Sequence, residues 1–290
     1  MSTNIEWTDI TDNIFRVRGG GWWCRKISPG CANCYAEKLN QNTFFGGNKM
    51  GYLGTAPPME LRTDIVDAWR RMTRPKKHFV CSMTDVFGEW VTESQAIYFL
   101  RGMWRAPRQT FQVLTKRPTT ARKLIQQWMD FDGLPAVPSN IQIGTSVENQ
   151  EMADKRIPEL LKIPAKVRFL SVEPMLSAIN FSGNSALRTP CPAQPSRSGT
   201  HSAIGWAIFG GESGPDARPC NVEWIRSGVK QCQEFGIPVF VKQLGSRAVA
   251  DIQDARGGYL GFKGLDLKDK KGGDMAEWPE DLRVRSFPGR

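Results

Sequence analysis

Histidine is almost missing from this chain: among 290 residues there are only His78 and His201. Neither stands in a setting that would build a Ser-His-Asp triad, so that scheme is set aside first. No Walker A loop is present. The stretch GGESGPD, from Gly210 to Asp216, lacks the spacing of a nucleophile elbow. No apolar run is long enough to span a bilayer, so no membrane partner is expected. The opening MSTNIEWTDITDN is acidic and polar, unlike a secretory signal. No internal repeat is visible. These absences lead to an expectation of a cytoplasmic protein, where thiols stay reduced.

What is present suits a folded domain. Hydrophobic residues make up 40% of the chain and charged residues 23%, enough apolar content for a core. A single α/β barrel commonly has this length. The net charge of +10 tilts the expected partners toward polyanions, nucleic acid or a nucleotide first. Ten tryptophans are present, and Trp7, Trp22 and Trp23 stand near a cluster of cysteines. Most tryptophans pack cores, with base stacking the minority use.

Short apolar runs rich in β-branched residues recur at His78–Met83, Thr110–Thr115, Ile141–Val147, Lys166–Val172, Trp206–Gly210 and Pro238–Val241. They read as buried strands, with a seventh near Asn13–Val17. Helical spacing falls at Asp64–Met72, Glu93–Trp104, Thr119–Met129, Glu148–Leu161 and Glu223–Phe235, with Thr92 as an N-cap. Strands alternating with helices predict βα units with parallel strands. The fold class expected is α/β, a partial (β/α) TIM-type barrel over residues 1–265; a doubly wound open sheet is the alternative. Ser182–Ala203, rich in Ser, Pro and Gly, reads as an irregular insertion. Residues 266–290 read as a C-terminal arm in which Trp278 and Pro279 offer anchors.

Seven cysteines in a reducing compartment are poor evidence for disulfides and better evidence for a metal site where they cluster. Cys24, Cys31 and Cys34 do cluster, in CRKISPGCANC, with Pro29-Gly30 as the turn between them. Structural zinc usually takes four protein ligands, and no fourth stands nearby in sequence. Three thiolates on a 4Fe-4S cluster leave one iron open, which S-adenosylmethionine (SAM) can occupy. Structural zinc completed by a distant ligand such as Cys81, and three ordinary buried thiols, are the competing readings. An α/β barrel that opens with three cysteines matches the radical-SAM architecture, which favours iron–sulfur.

Barrel chemistry sits at the C-terminal ends of strands. The expected strands end in Asp85, in Lys116 and Arg117, in Ser146 and Glu148, in Ser171 and Glu173, in Gly210, Gly211 and Glu212, and in Lys242. Polar strand ends are ordinary by themselves, because such residues also cap helices. Six placed alike are expected to gather at one mouth. Lys116, Glu148, Glu173 and Lys242 are the catalytic candidates. Asp85, Ser146, Ser171, Gly210, Gly211 and Glu212 are the cofactor-contact candidates, and the glycine pair would let backbone approach a ligand closely.

The chain resembles the phage-associated three-Cys-motif proteins, a radical-SAM-like family of uncharacterised function. The resemblance is carried by IEWTD at Ile5–Asp9, SPGCANCYAE at Ser28–Glu37, SMTDVFGEWV at Ser82–Val91 and LTKRP at Leu114–Pro118. It continues with GTSVENQ at Gly144–Gln150, FLSVEPML at Phe169–Leu176, FGGESG at Phe209–Gly214, VKQLG at Val241–Gly245 and GGDMAEWPEDLRVRSFP near the end. It implies an iron–sulfur enzyme using SAM, with an electron donor, a dedicated partner protein encoded nearby and a nucleotide or nucleic-acid-related substrate. The common radical-SAM spacing is C-x3-C-x2-C with an aromatic before the last cysteine. Here the first gap is six residues and Tyr35 follows the last cysteine. Glu212 therefore stands as a contact candidate through its strand-end position, not through that motif.

Overall fold

The computed structural model describes residues 3, 5–181, 203–254 and 256–289. The expected insertion lies outside them, apart from Ala203. The contacts divide the chain into two compact units: residues 1–145 with 158–168, and residues 146–157 with 169–290.

The first unit opens with β1 (Ile10–Asp12) and β2 (Phe15–Val17), where one strand near Asn13–Val17 had been expected. The cysteine loop follows and runs into α1 (Tyr35–Asn40), β3 (Met59–Leu61), α2 (Thr63–Trp69) and β4 (Lys77–Val80). Then come α3 (Glu93–Trp104), β5 (Thr110–Thr115), α4 (Pro118–Asp132) and β6 (Ile141–Ser146). Strands β1, β4, β5 and β6 pair parallel in that order, and β2 pairs antiparallel with β3. Thr92 starts α3 through a reciprocal capping box with Gln95, as its position in the sequence predicts. Pro118 opens α4 and Gly133, at φ +64°, closes it.

Side chains alternate between the two faces of these four strands. On one face His78 is fully buried. Its Nδ1 lies 2.7 Å from Asp12 Oδ2, which also accepts from Trp69 Nε1. Its Nε2 lies 3.1 Å from Gln109 Oε1. The histidine is thereby a core residue. On the opposite face Thr11, Phe79, Gln112 and Gln142 form one cross-strand row. Oxygens of Thr11, Gln112 and Gln142 are buried there with no hydrogen-bond partner among the described residues.

The second unit carries most of α5 (Gln150–Leu161), then β7 (Arg168–Val172), β8 (Trp206–Gly210), β9 (Cys220–Asn221), α6 (Val222–Glu234) and β10 (Val239–Gln243). Strands β7, β8 and β10 pair parallel, and the first two are buried along their whole length. The strands β11 (Ala248–Gln253) and β12 (Tyr259–Gly264) then form an antiparallel hairpin, with β9 alongside β11. The C-terminal run closes back on β10. Val241 N donates to Val284 O, Ser286 N donates to Val239 O, and Trp278 and Leu282 are buried. An exposed strand edge is thus covered by the chain's own tail.

Seven parallel strands and six α-helices among the described residues make this an α/β protein. Its repeating βα units are those from which a partial β/α barrel is built. No helix among the described residues is long and apolar enough to cross a membrane.

Candidate cysteine site and strand-end residues

The cysteine loop is pinned to the end of β4 by three hydrogen bonds. Tyr35 Oη donates to Ser82 O at 2.8 Å, Tyr52 Oη donates to Met83 O at 2.8 Å, and Thr84 Oγ1 donates to Trp23 O at 2.7 Å. Trp23, Tyr52, Met83, Val17 and Ala36 form the small core beneath it, with Cys24, Cys34 and Trp90 packed against them. Trp23 and Trp90 meet edge to face at 5.0 Å. The Arg117 guanidinium lies over the Trp90 ring at 5.0 Å.

Asn40, at the end of α1, fixes the far side of the loop. It is fully buried. Its Oδ1 accepts from Trp22 N, and its Nδ2 donates to Trp22 O, Asn48 Oδ1 and Met50 O. Asn40→Ala removes the side chain that pairs Trp22 N and Trp22 O, while Met50 O keeps Gln41 Nε2, and a loss of about 2 kcal/mol is expected. The check is a denaturant melt, together with faster alkylation of Cys24 in the folded protein.

Cys24, Cys31 and Cys34 are half-buried free thiols. Burial pushes the Cys24 thiol up to about 12; Asp85 and Cys34 add to the rise and Arg117 opposes it. Burial also raises Cys34, against the pull of the Glu37 and Ala36 amides at the start of α1 and of Lys116. Cys31 sits on a 3-10 turn, its sulfur 3.8 Å from Ser28 Oγ. All three lie on one short loop, eleven residues from Cys24 to Cys34. They are not yet a closed cage: among the described residues, no three His, Cys, Asp or Glu side chains are gathered to hold a metal ion. The donor chemistry does fit an iron–sulfur cluster. Three soft sulfur atoms share one short loop, and a bound cationic metal centre would favour their thiolate forms.

Cys81, the distant zinc ligand considered from sequence, is fully buried at the end of β4 with φ +62°. It, Cys220 and Cys232 are each pushed up to about 12 by burial. The folded chain keeps these protons while the unfolded chain gives them up near the ordinary value of 9.0. Stability is therefore full below about pH 9 and falls as the pH rises toward 12, by about 1 kcal/mol per pH unit for each thiol. Urea midpoints across that window should decline, and the decline should shrink in a Cys81→Ala, Cys220→Ala, Cys232→Ala chain.

Beside the loop, Asp85 is buried and fully engaged. Its oxygens accept from Thr115 Oγ1 at 2.8 Å, Phe87 N at 3.0 Å, Lys116 N at 2.9 Å and Arg117 Nη1 at 3.2 Å. Arg117 Nη2 reaches Arg25 O in the cysteine loop. Asp85 thus braces the ends of β4 and β5 and, through Arg117, the loop. Lys116 lies at the same strand end.

In the second unit, Lys242 Nζ lies 2.7 Å from Glu173 Oε1, each side chain 19% exposed. Two of the catalytic candidates therefore meet. A Cβ on Gly210 would lie 3.3 Å from Glu173 Cδ, so this glycine leaves room for the carboxylate. Gly211 is needed for a different reason: a Cβ there would fall 2.2 Å from Leu244 O. Glu148 is completely buried and bonded to Arg156 Nη1 at 2.8 Å, and the same guanidinium nitrogen donates to Ser146 O. Glu212 accepts from Arg218 N, Nε and Nη2 at 2.9, 2.9 and 2.6 Å. Ser171 is buried, and its carbonyl accepts from Val147 N.

Sequence reading missed Arg156 and Arg218 as the partners of these acids. A spacing of eight and six residues was the available signal. Thr115, Tyr52 and Asn40 were missed because each acts through a contact distant in sequence.

Fold and site together define an α/β protein of parallel βα units with a three-cysteine loop at the end of β4. The chain belongs to the family described as protein of unknown function (DUF5131), whose model matches residues 2–272. No curated protein and no solved structure matches it.

Proposed function

We propose that this protein is a radical-SAM-like iron–sulfur enzyme with a partial-barrel fold, of the phage-associated three-Cys-motif kind. The observation that carries the reading is the set of three free thiols on one short loop pinned to the end of a parallel strand. Cys24, Cys31 and Cys34 would hold a 4Fe-4S cluster, drawn together when it binds. With SAM on its open iron and one electron from a donor, the cluster would supply a 5′-deoxyadenosyl radical for hydrogen abstraction. Tyr35, Tyr52 and Thr84 keep the loop against β4, and the Asp85–Arg117 brace fixes its first cysteine. Trp22, Trp23 and Trp90 belong to the apolar cluster that also packs Cys24 and Cys34, and would shield those two sulfurs from water. Glu173 and Lys242 are the pair best placed in the second unit to orient a polar substrate or hold a proton. The net charge of +10 favours a nucleotide or nucleic-acid-related substrate.

Anaerobic reconstitution with iron and sulfide tests this. The expected product is brown, with about four irons per chain, and loses them in Cys24→Ser, Cys31→Ser and Cys34→Ser. Reduced with SAM, it should release 5′-deoxyadenosine. A colourless protein carrying one zinc overturns the cluster. An iron-loaded protein that leaves SAM intact overturns the radical step.

A further inference from the structure

The hairpin of the second unit carries an aromatic cleft that the proposed chemistry does not use. In a regular strand Tyr259 and Phe262, three positions apart, would point to opposite faces. Here Asp251 pairs with Phe262, Ile252 with Gly261 and Gln253 with Tyr259, which leaves Leu260 as an extra residue without a partner opposite. This bulge returns Tyr259 to the face of Phe262. Gly261 at φ +133° allows it, in backbone that other residues rarely adopt. Val249, Asp251 and Asn221 share that face through the register with β9. Trp224, from the first turn of α6, and Pro219 complete a cleft of about 320 Å³.

Tyr259 and Phe262 are 64% and 57% exposed, so the rings are held open rather than used for packing. A carboxylate, Asp251, lines the same cleft. Asn221 is buried and committed twice: its Oδ1 accepts from Glu223 N as the cap of α6, and its Nδ2 donates to Asp251 Oδ1. Asp251 is therefore oriented, yet it has no ion-pair partner among the described residues. Three aromatic residues and an oriented carboxylate with no ion-pair partner among the described residues, lining one cleft, are complementary to one kind of group. The ring faces attract a cation, and the carboxylate supplies the opposite charge.

We propose that Trp224, Tyr259, Phe262 and Asp251 bind an organic cation, an alkylammonium or guanidinium group. The site is independent of the cysteines and of the reading based on them. The group can come from a free small molecule or from a lysine or arginine side chain of a protein.

The test is saturation-transfer NMR and calorimetry on the full chain. The probes are tetramethylammonium, capped arginine, a trimethyl-lysine peptide and neopentyl alcohol as a neutral isostere. A cation is expected to bind about tenfold tighter than the isostere. Asp251→Asn should abolish that preference, and Tyr259→Ala or Phe262→Ala should weaken the cation about tenfold, with the melting curve unchanged. Tighter binding of the peptide assigns a protein source, and tighter binding of tetramethylammonium assigns a small molecule. Equal binding of the isostere, no saturation transfer from any cation, or cation binding indifferent to Asp251→Asn overturns the proposal.

Discussion

Asp85→Ala is expected to lower the unfolding free energy by about 3–5 kcal/mol, the cost of removing one partner of a buried ion pair. The carboxylate joins the Thr115 hydroxyl, two backbone amides and the Arg117 guanidinium, in a site where both charged side chains are about a tenth exposed. Its loss leaves Arg117 without a counter-charge and frees the link from Arg117 to Arg25 O. The cysteine loop should loosen with it. Guanidinium melts measure the first effect, and the alkylation rate of Cys24 in folded protein measures the second. Asp85→Asn should cost less, because a carboxamide oxygen still accepts two of the bonds. Equal losses in both variants would show that the charge, not the hydrogen-bond pattern, holds the brace.

Glu148→Leu is expected to cost a similar 3–5 kcal/mol. Glu148 has no exposed surface and the Arg156 side chain is only 6% exposed, so the guanidinium would be stranded in the interior. Arg156→Leu alone should be as harmful. The double substitution should recover much of the loss, since two apolar side chains of similar size leave no uncompensated charge. A double-mutant cycle by chemical denaturation decides this. Additive losses would mean that the two residues act independently despite their 2.8 Å contact.

These two acids stood out in the sequence as candidates for chemistry, because each follows an apolar run. The same signal marks residues that tie strand ends together. Asp85, Glu148 and Glu212 are each paired with an arginine, the first two in buried pairs and Glu212 with the partly exposed Arg218. Glu173 differs: it meets Lys242, a second strand-end residue, where both remain within reach of solvent. Sequence alone does not separate these cases, since both place a carboxylate one or two residues beyond a strand.

The strands themselves were legible. WAIFG is buried along its whole length and TFQVLT at four of its six residues, as their apolar, β-branched composition suggests, and parallel pairing follows from the helices between the strands. The three-cysteine loop was legible too, because its spacing is local. The first parallel strand was not. Ile10–Asp12 is only three residues long, and its pairing with β4 and the bonds of Asp12 to His78 and Trp69 supply what its own sequence lacks. The β11–β12 hairpin escaped notice because its glycines and charged residues blur the alternation, and its bulge exists only as a register between two strands.

The sequence by itself determined the βα order, the buried strands and the clustering of Cys24, Cys31 and Cys34, because these depend on composition and spacing along the chain. Only the tertiary structure decided which carboxylates are braced by arginine, that Glu173 and Lys242 meet, and that Tyr259 and Phe262 share a face. Each of those depends on residues brought together by pairing and packing, over as many as 69 positions for Lys242 and Glu173.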